Sequence, residues 1–131
     1  MPELSSYDYA VVRVVPSLDR GEFLNVGVIL HARNADFLGA RIELDERRLD
    51  ELAHTADVAT IRAHLDSFER IAAGGPDAGA IGRLDGSGRF HWLVAPRSTV
   101  IQTSAVHSGL TADPGAELDR LFERLVTLPP D

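Results

Sequence analysis

The chain has 131 residues, a formal net charge of −7 and no cysteine. That length suits one domain, residues 1–131, with an ordinary core, and the missing thiols exclude a disulfide framework or a thiolate metal site. All 13 basic residues are arginine, yet the acidic balance argues against nucleic acid as the partner, because nonspecific binding needs a basic footprint.

The first ten residues, MPELSSYDYA, lack a basic region followed by an apolar one. No stretch approaches the ~20 apolar residues of a membrane span. A cytoplasmic protein without membrane contact is expected. Residues 7–15 (YDYAVVRVV) are rich in aromatic and β-branched types and predict a first strand, ended by Pro16. Gly21 supplies a turn into a second strand, where Leu24, Val26, Val28 and Leu30 form an apolar row at period two. Phe23, Asn25, Gly27, Ile29 and His31 form a mixed row on the other face. A third strand spans residues 37–44. Its apolar set aligns with the second strand when Leu30 faces Ala40, leaving a three-residue loop with Asp36 left-handed.

Asp45 and Asp57 are caps for helices over 46–53 and 58–73, the second with a stripe of Val58, Ile61, Leu65, Phe68 and Ala72. Gly74 and Gly75 stop it. Residues 74–89 are glycine-rich without alternation and predict a loop; they match neither the phosphate-loop nor the dinucleotide pattern. A fourth strand is predicted over 90–95 (FHWLVA) and a fifth over 100–105, with Arg97, Ser98 and Thr99 in the turn between them. Asp113 and Pro114 open the last helix. The expected fold is α+β: a mainly antiparallel sheet of about five strands with helices packed on one face.

The segments YDYAVVRVVP, RGEFLNVGVIL, FHWLVAPRSTVIQ and SAVHSGLTADP resemble the bacterial domain-of-unknown-function family 3037 across essentially the whole chain. The resemblance implies a fold but no established activity. It also implies a neighbour, since relatives are often encoded beside a HipA-like serine/threonine kinase, which makes such a kinase a candidate partner.

Seven polar residues form the candidate anion- or partner-binding set: Arg13, Arg20, Glu22, Asn25, Arg97, Ser98 and His107. Arginine forks suit carboxylate and phosphate, and loops at strand ends gather binding groups. Each residue also has a structural explanation: Arg20 with Glu22 as an ion pair, Arg13 with its stem on aromatic rings. Ser98 with His107 lacks a nucleophile elbow, so no catalytic residue is assigned. The five histidines show no metal-ligand spacing, and no metal or cofactor is expected unless His31, His91 and His107 converge. Two functions compete. The preferred one is a non-catalytic binding or interaction module, and the alternative is an enzyme acting on a phosphorylated or carboxylated small molecule or nucleotide through arginine and histidine. A homodimer is also expected, burying the mixed face of the second strand around Phe23 and Ile29.

Overall fold

The structure is a computed structural model and describes residues 3–97 and 99–127. Its spine is the antiparallel pair of β1 (Ser5–Val14) and β2 (Leu24–Ala32). Strand β3 (Phe37–Ile42) pairs with the far side of β2. The other side of β1 is shared by two short strands. β4 (Ile101–Thr103) pairs with residues 12–14, and β5 (His107–Thr111) pairs with residues 5–9. All five strands are antiparallel to their neighbours, and with four helices they make the expected α+β fold.

The helices are α1 (Glu46–Leu52), α2 (Val58–Ala73), α3 (Gly86–Val94) and α4 (Pro114–Leu125). Each opens on an aspartate whose carboxylate accepts from backbone N–H groups of the first turn: Asp45, Asp57, Asp85 and Asp113. Such caps satisfy donors that the helix itself cannot pair.

Two expected elements are corrected. Residues 90–95 are not a strand: Phe90 to Val94 belong to α3, launched by the Asp85 cap, with Phe90 and Leu93 buried and four residues of polar lead-in before them. An apolar run this short carries no reliable period, so the cap decided its state. The missing strand is instead β5, in residues 107–111, where no element was expected.

The helices do not lie on one face. Leu24, Val26 and Ile29 pack with Val12 and Val14 against buried residues of α1, α2 and α3, whereas Val28, Leu30 and Ala32 pack with Tyr7 against Leu118, Leu121 and Phe122 of α4. The unbroken row expected through Leu24, Val26, Val28 and Leu30 is therefore split between faces. A β-bulge does this: Val12 pairs with Gly27 and Arg13 with Asn25, leaving Val26 as an extra residue.

The β2–β3 register also differs by one residue from the expected one. Leu30 faces Gly39 and Ala32 faces Phe37, closing a four-residue loop over 33–36 in which Asp36 is left-handed, φ 51°. With both faces covered, β3 serves two cores. Leu38, Ala40 and Ile42 join the α2 side and Phe37 joins the α4 side, so the argument for one shared apolar row does not apply. For the same reason Ile29, offered above as part of a dimer face, is fully buried within the chain.

Candidate functional site

The break between β4 and β5 lies where the chain crosses residues 104–106 along β1. Ser104 bridges it: its Oγ accepts from the Val11 N–H at 2.9 Å and donates to the Ala105 carbonyl at 2.9 Å, while its own N–H donates to the Val11 carbonyl. Beside this bridge runs a groove of about 370 Å³ lined by Val94, Pro96, Arg97, Gln102, Thr103 and Val106, among others. Arg97 is held in its wall. The guanidinium lies 4.7 Å from the Trp92 ring and 5.1 Å from Phe68, and its Nη2 donates to the Trp92 carbonyl at 2.6 Å. Burial alone pulls its pKa down from the ordinary arginine value.

The groove leads to β5, sequence HSGLT, which carries no aspartate, glutamate, lysine or arginine. Its inner edge pairs with β1, and among the described residues no strand pairs with its outer edge. Leu110 is 65% exposed and Val106 44%. Tyr7 supports the strand from beneath. Gly109 leaves room for its ring, since a Cβ there would stand 2.6 Å from the Tyr7 hydroxyl. An unpaired, uncharged strand edge flanked by exposed apolar residues is a template for main-chain pairing with another chain.

The family model described as "Protein of unknown function (DUF3037)" matches residues 9–126, nearly the whole chain. The chain belongs to this family. Comparison with the curated proteins and with the solved structures finds no match.

In this member of DUF3037 the seven candidates do not form one cluster. Arg13 faces Asn25 across the β1–β2 pair, and its guanidinium lies 4.1 Å from the Phe23 ring. Asn25 donates to the Leu125 carbonyl at 3.1 Å, tying β2 to the end of α4. Arg20 pairs with Glu22 at the surface and lines a separate cleft of about 700 Å³ between the β1–β2 loop and the residues joining α1 to α2. That cleft shares no lining residue with either cleft that Arg97 lines. His107 sits on β5 with its ring 5.4 Å from Tyr9. Ser98 lies outside the described residues.

The three histidines do not converge either. His31 stacks on Phe90 at 5.2 Å on the α3 side of the sheet, with His91 close enough to perturb it, whereas His107 lies on the α4 side beside Tyr9. Among the described residues no three His, Asp or Glu side chains are placed to share a metal ion, and no helix is long and apolar enough to cross a membrane.

Sequence reading missed the β5 edge entirely. The one available signal was a short alternating run, HSGLT, bounded by turn residues. It also missed a cleft at the start of α3, whose signature was Asp85 followed three residues later by Gly88, whose N–H donates to that carboxylate at 2.7 Å.

Proposed function

We propose that this protein is a cytoplasmic interaction module that docks an extended segment of a partner protein against the outer edge of β5 and the adjoining Arg97 groove. The observation that carries this reading is the outer edge of β5, unpaired among the described residues, with Leu110 65% exposed. Arg97 supports it as a donor pre-ordered by two aromatic rings, with little side-chain entropy left to lose on contact with a carbonyl or carboxylate. A HipA-like kinase is the partner suggested by the family resemblance, and a second copy of this chain could occupy the same edge. The enzymatic alternative draws less support. Arg13, Arg20, Arg97 and His107 each make contacts inside the fold instead of sharing one cleft. The net charge of −7 speaks against nucleic acid as the partner.

The test compares capture from native lysate by the wild-type protein and by Leu110→Lys, with captured proteins identified by mass spectrometry. A lysine on an open edge opposes strand addition, and a residue this exposed tolerates the change. The partner should be lost from the variant at unchanged melting temperature. Equal capture of the same partner by both proteins would overturn the edge as the docking surface.

A further inference from the structure

A further cleft, of about 360 Å³, opens between the β2–β3 turn and the start of α3. Its two walls carry the same pair of charges. The turn contributes Arg33 and Asp36, and α3 contributes Arg89 with the capping Asp85. Among the described residues none of these four charges is in an ion pair, although Arg20, Arg41, Arg47, Arg62 and Arg120 all are. Arg89 is steadied by donating to the Leu84 carbonyl at 2.8 Å, and Asp85 by accepting from Gly88. Between the walls His31 forms part of the lining, stacked on Phe90 and close to Gly86. Burial, the first of several influences, pulls its pKa below the usual histidine value, so at neutral pH it offers a hydrogen-bonding nitrogen instead of a charge.

We propose that this cleft binds a small zwitterion, its anionic group held by Arg33 and Arg89 and its cationic group by Asp36 and Asp85. Two separated guanidiniums suit a phosphate or carboxylate. A purely anionic ligand would meet the two carboxylates as well, and a purely cationic one the two arginines; only a ligand bearing both charges is complementary to the whole lining. The volume lies within the ~300–1,000 Å³ of small-molecule sites. This site stands apart from the β5 edge, so either proposal survives failure of the other.

The experiment is a titration of the full chain with phosphoethanolamine, inorganic phosphate and ethylamine, followed through the NMR signals of the His31 imidazole. Phosphoethanolamine should shift them saturably, with affinity about tenfold or more above either single-charge probe, a difference of ~1.4 kcal/mol. Arg33→Gln and Asp36→Asn, both exposed and outside any ion pair among the described residues, should each lose about tenfold while retaining the fold. Inorganic phosphate binding as tightly as phosphoethanolamine would overturn the zwitterion. No shift of His31 by any probe would overturn the site, leaving four side chains that pair with one another in solution.

Discussion

Ser104 is the single buried polar side chain of the core among the described residues, at 8% exposure, and it serves as a substitute for sheet pairing. Where β4 ends and β5 has not begun, the Val11 N–H finds the serine hydroxyl in place of a neighbouring carbonyl. Ser104→Ala leaves that donor buried and unpaired. The expected loss is ~1–3 kcal/mol, the cost of an unsatisfied buried donor, read as a lower midpoint in urea unfolding with unchanged slope. Gly27 is constrained more severely. A Cβ there would stand 2.7 Å from Ile42 Cγ1 and 2.8 Å from the Arg41 carbonyl; the carbonyl belongs to the backbone and cannot swing away. Gly27→Val should therefore destabilise by at least ~1–3 kcal/mol through overpacking. A melting temperature equal to wild type would show that β3 can move aside at little cost.

Among the elements, α4 is attached in part through an ionised group. The Tyr7 hydroxyl of β1 donates to Glu117 Oε2 at 2.5 Å, and Arg120 donates to both Glu117 oxygens at 2.8 and 2.7 Å. These bonds, led by that from Arg120, hold the Glu117 carboxyl down to about 2 from an ordinary 4.5. Burial first, and the carboxylate second, push Tyr7 up to about 12 from 10. The signs follow from which form the fold prefers. A depressed carboxyl contributes stability that is complete above 4.5 and lost as pH falls towards 2; a raised phenol contributes stability that is complete below 10 and lost as pH rises towards 12. Glu117→Gln should lower stability at pH 7 by ~1–2 kcal/mol, discounted for the half-exposed Arg120. It should also flatten the acid limb of the stability–pH curve. An acid limb identical to wild type would assign acid unfolding to other carboxylates. The preceding helix, α3, depends on its cap, and Asp85→Ala should cost ~1 kcal/mol, visible as earlier thermal loss of helical circular dichroism.

At the scale of the molecule, a central sheet covered on both faces places β1 and β2 deepest. Ala10, Val12, Val28 and Leu30 are all fully buried. Their amides should exchange with deuterium only through the largest openings, while outward amides of β5 should exchange orders of magnitude faster. Hydrogen exchange on the purified chain measures this directly. If β5 is as protected as β2, a second copy already covers the edge in solution, and the surface offered to a partner is the interface of a homodimer. If β5 is labile alone and protected in the presence of a captured partner, the docking surface is located.

What the sequence determined by itself are the features whose causes are local. Asp45, Asp57 and Asp113 mark three helix starts because a capping carboxylate acts within three residues. The stripe from Ile61 to Ala72 is buried as its period requires, and Asp36 and Gly21 take the left-handed backbone their turns need. The tertiary structure decided everything that turns on what covers a face. One extra residue at Val26 moves half of β2 from one core to the other, and a helix on the far side removes the penalty for the register that puts Leu30 against Gly39. Residues 90–94 became helix and 107–111 strand because short apolar or alternating runs take the state their neighbours complete. The candidate surfaces were set at the same level. Arginines chosen for their chemistry, such as Arg13, Arg20 and Arg97, found partners within the fold, while Arg33 and Arg89, 56 positions apart in the chain, came to line one cleft through the meeting of a turn and a helix start. Spacing along a chain records neither event, because each is made by packing between elements.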